Sequence, residues 1–479
     1  MDKRRWMIAG MWIAALAAIA GIYVTFEPDE DTGPTREEGD APTYTYEEDR
    51  APTAARTDVE VSEDPGSTEV YRGGPRHSGR SPYRGPGRPD LAWRHHTGAR
   101  VSAQAVASAD AIFVGTHGRD LLAISRDGER LWSAGVHQRV WSAAAVHEGT
   151  VFVGSDVGAL FAFDAADGTL AWRFRAAGDV DGPITVGDDG SLYFTGGPFL
   201  YAMNADGTLR WRFRARGPFL LTAPALDSDG TLYATSIDDH LYAVSAEGRL
   251  RWDYASDDDI SSSPVIGDDG TIYFGSDDRN VHAVTRDGEL RWTRALDGFV
   301  RAPVALGRNT NVIAAVYGPR PRVVSLDART GDLRWYFPVQ VAESSEIGIG
   351  SGPLVDADGN LYFGAQDDYV YSLGPDGDLR WIYQTGGDVD AAPLLLSDGT
   401  LVIGCDDGFL YAFREGATPA EAPEAESTDG VSAETGTNED EASAPGQDPS
   451  EAAEDEPEGT PRDETIEGAE APTMDVPAP

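Results

Sequence analysis

The chain has 479 residues, and its 38 Lys and Arg against 81 Asp and Glu give a formal net charge of −43. Because so strong a negative charge repels phosphate backbones, we predict that the protein does not bind nucleic acid. The single cysteine, Cys405, excludes an intramolecular disulfide and a cysteine-based zinc site. It lies in the apolar run Leu401–Cys405 and is predicted to be a small buried side chain of a strand.

The N-terminus is predicted to anchor the chain in a membrane. The basic cluster Lys3–Arg5 precedes an uncharged, mostly apolar run over residues 6–26, which as a helix is long enough to cross a bilayer core of about 30 Å. The basic residues favour a cytoplasmic stub, residues 1–5, and place the remainder on the periplasmic or extracellular side of a single-pass membrane protein. The alternative is a cleaved signal peptide, because Ala18–Ala20 before Gly21 fits a cleavage site. The length of the apolar run favours the uncleaved anchor.

Two acidic segments are predicted to be disordered, a linker over residues 27–67 and a tail over residues 417–479. Residues 27–69 contain 15 acidic and 3 basic residues, and residues 415–479 contain 20 acidic and 1 basic residue. Such segments, rich in Pro, Thr and Ala, bury too little apolar surface to offset chain entropy. We interpret the first as a self-repelling tether. The second is interpreted as a solvating tail or, alternatively, as an electrostatic lure for a basic partner.

The middle of the chain repeats about every 40 residues. The clearest marker is a tryptophan, which recurs at positions 93, 132, 172, 211, 252, 292, 335 and 381. Each repeat contains three short apolar runs and a fourth, alternating segment around the Trp, which we name strands A to D. Asp-Gly pairs such as Asp189-Gly190 join A to B and C to D, and such a pair between apolar runs predicts a tight turn with both residues at positive φ. Short strands between glycine turns favour a β-propeller.

The number of blades follows from the two ends of the repeat. Eight A-B-C sets are present, but the last has no Trp strand after it, and the strand of Trp93 has no such set before it. Pairing the strand of Trp93 with the last set closes the ring and removes its open edges. The sequence therefore predicts an all-β domain over residues 68–416, an eight-bladed β-propeller of four-stranded antiparallel blades.

These repeats resemble the pyrroloquinoline-quinone-type (PQQ-like) propeller repeat family, and the segment from Tyr71 to Gly79 followed by Leu91-Ala-Trp93 resembles the usual start of such domains. The family spans quinoprotein dehydrogenases and the propeller lipoprotein of the outer-membrane barrel assembly machinery. The resemblance implies that a dehydrogenase of this type would hold its quinone against a pair of adjacent cysteines with calcium nearby. Since this chain has one cysteine, we predict no quinone cofactor. The turns that begin like calcium loops lack the terminal Glu, the eight histidines show no ligand spacing and no nucleophile motif is present, so we also predict no metal site and no catalytic residues.

One face of the predicted propeller is acidic. In a four-stranded meander the B–C loops and the connections from D to the next A lie on the same face, and binding residues often lie on loops positioned by a rigid scaffold. Seven aspartates come from the connections: Asp179, Asp181, Asp257, Asp258, Asp259, Asp388 and Asp390. The candidate partner-binding residues come from the B–C loops and from the one long connection: Asp156, Asp238, Asp239, Asp277, Asp278, Glu343, Glu346, Asp367, Asp368, Asp406 and Asp407.

The function predicted from the sequence is a membrane-anchored, non-catalytic scaffold that binds a protein in the cell envelope, with a role in outer-membrane protein assembly. The alternatives are a sensory propeller that binds a ligand or glycan, and a quinoprotein dehydrogenase. An acidic face favours a basic partner, because electrostatic complementarity speeds encounter and sets specificity. The sequence leaves the partner and the oligomeric state open.

Overall fold

The computed structural model describes residues 69–339 and 348–417. These residues form eight four-stranded antiparallel sheets arranged as the blades of a propeller, and within the described ranges there is one 3₁₀ turn, Tyr71–Gly73, and no α-helix. The first strand along the chain is β1 (Leu91–His96). Blades 1 to 4 then comprise β2 (Val106–Ala107), β3 (Ile112–Gly115), β4 (Asp120–Ile124), β5 (Arg130–Gly135); β6 (Ala145–His147), β7 (Thr150–Ser155), β8 (Ala159–Asp164), β9 (Leu170–Arg175); β10 (Thr185–Val186), β11 (Leu192–Gly196), β12 (Phe199–Met203), β13 (Leu209–Arg214); and β14 (Ala225–Leu226), β15 (Leu232–Thr235), β16 (His240–Val244), β17 (Leu250–Ala255). Blades 5 to 7 and the rest of blade 8 comprise β18 (Val265–Ile266), β19 (Ile272–Gly275), β20 (Asn280–Val284), β21 (Leu290–Ala295); β22 (Ala305–Leu306), β23 (Asn311–Val316), β24 (Arg322–Asp327), β25 (Leu333–Pro338); β26 (Leu354–Val355), β27 (Leu361–Ala365), β28 (Tyr369–Leu373), β29 (Leu379–Gln384); and β30 (Leu394–Leu395), β31 (Leu401–Gly404), β32 (Phe409–Phe413).

Blade 8 closes the ring as predicted. Its sheet has the order β1-β32-β31-β30, so the first strand of the propeller is the outer strand of the last blade. The pairing runs from Leu91 opposite Phe413 to His96 opposite Phe409. Because this closure joins the two ends of the repeat through backbone hydrogen bonds, blade 8 has the same four strands as every other blade, and the outer strands keep an unpaired edge. The predicted eight-bladed, all-β architecture is confirmed.

The burial of each strand depends on its position in the blade. Strands A to C are buried on consecutive residues, as in β19 and β27, whereas strand D alternates between exposed and half-buried residues, as in β9 and β13. This pattern arises because each blade is covered on both faces by its neighbours, while strand D lies at the rim. The core is therefore a series of apolar layers between blades.

The turns differ from the predicted geometry in one respect. Gly190 adopts φ +74°, but Asp189 is not at positive φ. The Gly190 amide donates to the Gly187 carbonyl at 2.9 Å, and the Asp189 carboxylate accepts the Ser191 amide at 3.0 Å. The prediction of two left-handed residues was wrong, because a turn that is one residue longer places only its glycine in the left-handed region.

A tryptophan on the outer strand of each blade joins that blade to the structure beside it. Its indole Nε1 donates to a backbone carbonyl at 2.7–3.1 Å in all eight positions. The pairs are Trp93 with Arg126, Trp132 with Ala165, Trp172 with Ala205, Trp211 with Ala246, Trp252 with Arg286, Trp292 with Ala328, Trp335 with Pro375, and Trp381 with Pro86. Seven acceptors lie in the C–D turn of the next blade. The eighth, Pro86, precedes β1, because blade 8 takes its strand D from the start of the chain.

The segment before β1, residues 69–83, lines the inside of the ring; we call it the strap. Its carbonyls accept backbone amides at the ends of five inner strands, in blades 2, 4, 5, 6 and 7. The amides belong to Val146, Leu226, Ile266, Leu306 and Val355. Since strands A surround the propeller axis, the strap closes the central channel at the end where the A–B turns lie.

Two strap side chains fill the channel centre. The fully buried Arg72 donates to the Val304 carbonyl at 2.6 Å and the Pro353 carbonyl at 3.3 Å. His77, also buried, lies 3.0 Å from Thr185 Oγ1 and 3.3 Å from the Pro264 carbonyl. Burial and the Arg72 charge lower the pKa of His77 to about 3, so the imidazole is neutral at physiological pH.

Both ends of the described ring lie on the same face. The strap begins at Glu69, whose carbonyl bonds the end of β6, and β32 ends where Arg414 meets Asp398 of an A–B turn. We call this the hairpin face, since it carries the A–B and C–D turns. Within residues 69–339 and 348–417, no helix is long and apolar enough to cross a membrane. The predicted anchor at residues 6–26 and both predicted disordered segments lie outside the described residues, apart from Ala417.

Replacing Gly248 by Ala tests the contact beneath each tryptophan. Gly248 adopts φ +79°, and a Cβ there would lie 2.6 Å from Cδ2 of Trp211. We expect Gly248→Ala to lower the free energy of unfolding by about 2–5 kcal/mol, the sum of backbone strain and overpacking. Gly98 has a similar φ of +84°, but a Cβ there would have no atom within 4 Å. Gly98→Ala should therefore lower the free energy of unfolding by the backbone strain alone, about 1–2 kcal/mol. Equal losses in chemical denaturation of the two variants would contradict this account.

Candidate functional site: the loop face of the propeller

The face opposite the hairpin face is built from the B–C loops and the connections from each strand D to the next strand A. We call it the loop face. In several blades a residue of the B–C loop meets a residue of the connection that leads to the next blade. Examples are His117 with Trp141 and Asp277 with Arg301. The residues of these pairs, and not the strands, distinguish one blade from another.

The candidate aspartates occupy three successive loop positions. The pairing of β15 with β16 and of β19 with β20 makes Asp238 equivalent to Asp278, while Asp277 is equivalent to Ile237. The first position contains Asp156, Asp277 and Asp406; the second contains Asp238, Asp278, Asp367 and Asp407; and the third contains Asp239 and Asp368. Residues at the third position are left-handed, with φ +71° at Asp239 and +68° at Asp368.

Aspartates at the second position fasten the loops. Each bonds an aromatic or imidazole side chain four residues later on strand C: Asp238 with Tyr242 at 2.8 Å, Asp278 with His282 at 2.9 Å, Asp367 with Tyr371 at 2.5 Å, and Asp407 with Tyr411 at 2.5 Å. Asp407 also accepts the amides of Gly386 and Phe409, each at 3.0 Å. These four carboxylates therefore hold the B–C loop against its own blade and, at Asp238, Asp278 and Asp407, against the connection that precedes that blade.

Two aspartates at the first position, Asp277 and Asp406, bridge to the connection that leads to the next blade, whereas Asp156 contacts the connection that precedes its own blade. Asp277, only 6% exposed, receives both Nε and Nη2 of Arg301 at 2.9 and 2.8 Å. Asp406 pairs with Arg100 and accepts the Ser102 hydroxyl at 3.1 Å. Asp156 accepts the indole Nε1 of Trp141 at 3.3 Å. Each of the three carboxylates therefore already has a hydrogen-bond or ion-pair partner within the protein.

Asp239 and Asp368, at the third position, are half-buried. A carboxylate oxygen of Asp239 lies within 4.8 Å of those of Asp258 and Asp259. Glu343 and Glu346, from the long connection of blade 6, lie outside the described residues. The structure thus places nine of the eleven candidate residues on the loop face, and their role in binding a partner stays a prediction.

Three connection aspartates lie in crowded surroundings that the sequence did not reveal. Burial and the carboxylate of Asp156 raise the pKa of Asp181 to about 8. Burial and neighbouring aspartates raise the pKa of Asp259 to about 7 and that of Asp390 to about 7. The face therefore takes up protons near neutral pH, because so many carboxylates share one surface. Only the fold brings residues from different blades this close.

The exposed part of the loop face is formed by other residues. Asp179, Asp257 and Asp258 have exposed side chains. Leu221 is 45% exposed and adopts φ +56°, and it is the one large exposed apolar residue in the described ranges that lies away from the outer strands. A face with an exposed leucine and exposed carboxylates fits a partner with both apolar and basic groups.

The channel centre and the only thiol do not fit a quinone. Cys405 is buried, its thiol donates to the Gly387 carbonyl at 3.2 Å, and burial raises its pKa to about 12. The adjacent cysteine pair implied by the resemblance to quinoprotein dehydrogenases is missing from the sequence. The strap closes the hairpin end of the channel.

Replacing Asp181 by Asn tests the crowding of carboxylates. Because the pKa of Asp181 is raised from 3.8 to about 8 in the folded state, folding binds a proton between these pH values and stability falls as pH rises through them. We expect Asp181→Asn to melt at the same temperature as the parent below pH 4 and a few degrees higher at pH 8. Asp127→Asn, an exposed turn residue on the hairpin face, is the matched control. A melting difference independent of pH would contradict the account.

Comparisons with known proteins agree with this architecture. The family model described as "Outer membrane protein assembly factor BamB" matches the chain four times, over residues 88–180, 162–260, 246–340 and 319–418. A comparison of the sequence with curated proteins gave no match.

Several solved structures have the same fold. BamB from Moraxella catarrhalis is 17% identical, covers 68% of this chain and 97% of its own, and has a TM-score of 0.54. A europium-containing methanol dehydrogenase is 13% identical, with coverages of 73% and 98% and a TM-score of 0.61. The quinohemoprotein alcohol dehydrogenase from Comamonas testosteroni is 15% identical, with coverages of 76% and 82% and a TM-score of 0.64. At these identities the likeness shows the fold alone. Since the family model covers most of the chain, the protein belongs to the PQQ-like β-propeller family described as outer membrane protein assembly factor BamB.

Proposed function

We propose that this protein is a non-catalytic scaffold of the cell envelope, anchored in the cytoplasmic membrane by residues 6–26, which binds a basic surface of a protein partner through the loop face. The description of its family supports a role in outer-membrane protein assembly. The observation that carries the proposal is the combination of exposed Asp179, Asp257 and Asp258 with exposed Leu221 on one face of a rigid ring. Carboxylates steer a basic partner, and the leucine supplies apolar contact area.

The arrangement of the chain supports this use of the loop face. The strap enters on the hairpin face, so an anchor that precedes it leaves the loop face as the side without chain ends. A partner in the envelope can then approach the loop face without passing the acidic linker. The internal bonds of Asp238, Asp278, Asp367 and Asp407 add rigidity, which lowers the entropy lost on binding.

A non-catalytic role is supported by the residues present. The thiol of Cys405 is buried and hydrogen-bonded, and the histidines with described contacts serve packing, as His77 does in the strap and His282 does against Phe274. The dehydrogenases among the structural neighbours share the fold at 13–15% identity.

A second function, binding of a glycan or small ligand, is favoured by one feature of the channel mouth. The ring of half-buried Trp141 packs at a tilt of 57° against His117, with 4.1 Å between centroids, and its indole Nε1 donates to Asp156. Aromatic rings with nearby carboxylates suit sugar rings and their hydroxyl groups. A screen of the full chain against cell-wall sugars and pyrroloquinoline quinone separates this function from the scaffold.

Partner capture tests the scaffold proposal. We expect a photo-cross-linker at Leu221 in the full-length membrane protein to label an envelope protein, identified by mass spectrometry. The triple variant Asp179→Asn, Asp257→Asn, Asp258→Asn should reduce labelling about tenfold or more at low salt, as expected if each charge contributes about 0.5 kcal/mol.

The matched control removes three exposed aspartates of the hairpin face, with Asp127→Asn, Asp287→Asn and Asp376→Asn. Equal loss of labelling in the two triple variants would show a general charge effect and would refute the loop-face site. A cross-linker on exposed Leu290 at the rim reports background labelling.

The anchor has a separate test. N-terminal sequencing of the protein extracted from membranes should begin at Met1 or Asp2, because the apolar run is long enough to stay in the bilayer. A mature chain that begins at Gly21 would replace the anchor by a cleaved signal peptide.

A further inference from the structure

Four arginines on the rim of blades 2 and 3 form a basic patch on an otherwise acidic protein. They are Arg173 and Arg175 on β9 and Arg212 and Arg214 on β13, and all four are exposed. Arg212 and Arg214 lie over the Phe199 ring, with Cζ 4.7 and 5.8 Å from its centroid. None of the four makes an ion pair with a carboxylate of residues 69–339 or 348–417. We call them the arginine sector.

The propeller repeat does not require these arginines. They occupy the first and third positions after the Trp of strand D, and at the same two positions blade 5 has Thr293 and Ala295 and blade 7 has Ile382 and Gln384. The arginines just before the Trp behave differently, since Arg251 and Arg291 pair with Asp229 and Asp269 of the A–B turns. Protection of an outer strand explains scattered charges such as Arg94, which follows the Trp of blade 8, but it does not explain four unpaired cations grouped on two neighbouring blades.

The chain enters the ring beside this sector. The Glu69 carbonyl accepts the Val146 amide at 2.7 Å, at the end of the inner strand of blade 2. The outer strand β9 of the same blade lies three strand spacings away, or roughly 14 Å. The 5 to 11 residues that separate positions 58–64 from Glu69 span up to roughly 16–36 Å when extended, which is enough to reach the rim.

The residues just before the strap have the complementary charge. Asp58, Glu60, Glu63 and Asp64 place four carboxylates within seven positions. We propose that residues 58–64 bind to the arginine sector as an internal ligand, each guanidinium facing a carboxylate of the linker. Tethering raises the local concentration of these carboxylates to the millimolar range, so that weak ion pairs suffice for occupancy.

Binding of the linker to the rim would fix the orientation of the propeller relative to its membrane anchor. It would also occupy the main patch of unpaired positive charge among the described residues, so that anionic surfaces reach the sector only by displacing the linker. This inference does not depend on which partner the loop face binds.

The test measures the distance between the linker and the rim in the detergent-solubilised full-length protein. Spin labels are placed at Val61→Cys in the linker and at Ala171→Cys, an exposed residue of β9 two positions before Arg173. The native Cys405 is buried and has a raised pKa, so it resists labelling. We expect a narrow short-distance population at low salt that broadens in 1 M NaCl, where the Debye length is about 3 Å.

Two variants test whether the short distance between the spin labels depends on charge. Neutralising the sector (Arg173→Gln, Arg175→Gln, Arg212→Gln, Arg214→Gln) or the linker (Asp58→Asn, Glu60→Gln, Glu63→Gln, Asp64→Asn) should each abolish it. The linker variant leaves the propeller unchanged, so its result cannot arise from misfolding. The matched controls should keep the short distance: Arg130→Gln, Arg249→Gln, Arg320→Gln, Arg329→Gln on other blades, and Glu451→Gln, Glu454→Gln, Asp455→Asn, Glu456→Gln in the tail.

A broad distribution in the parent protein at low salt would overturn the proposal, as would a short distance that survives neutralisation of either side. Sedimentation with phosphatidylglycerol vesicles identifies the competing occupant. If the sector binds vesicles while the label distance stays broad, a lipid surface replaces the linker and the proposal fails.

Discussion

The ring depends on one repeated interaction, the hydrogen bond from an outer-strand indole to a backbone carbonyl of the neighbouring blade. A glycine of the C–D turn lies under the indole in seven places, and a Cβ on that glycine would lie only 2.6–2.8 Å from the ring. The tryptophan therefore requires both the turn carbonyl and the missing side chain, and each blade fixes the position of the next. Because the interaction is repeated around a closed ring, no blade can shift without disturbing its neighbours.

At blade 8, where the ring closes, the segment before β1 supplies the carbonyl that accepts the tryptophan. Trp381 has no C–D turn beside it, and the carbonyl of Pro86 takes that place at 3.0 Å. The same segment continues into β1, while the strap before it bonds five inner strands. The strap and β1 together thus bond the ring both around its axis and at its rim. This double attachment explains why Arg72, a charged residue, is buried at the centre with carbonyl acceptors.

The loop face shows how a uniform frame can carry a varied surface. The aspartates at the second position stabilise the B–C loops, because they bond a Tyr or His of their own blade and the connection beside it. Asp179, Asp258 and Leu221 are exposed on the same face, so these positions can vary without disturbing the core of the blades. The raised pKa values of Asp181 and Asp390 follow first from burial of these carboxyl groups and then from the neighbouring aspartates of the same face.

The sequence by itself determined the eight blades, the closure through the strand of Trp93 and the burial of Cys405, because these follow from local periodicity and from the need to remove open edges. It also placed the acidic loops on one face, since meander topology fixes which turns share a face. Only the tertiary structure decided that Asp407 fastens a loop, that Asp277 is paired with Arg301, and that the strap closes the channel. Asp407 bonds Tyr411 of its own blade, whereas the other two contacts join different blades or remote segments. In each case the partner depends on side-chain direction, which the repeat pattern does not specify.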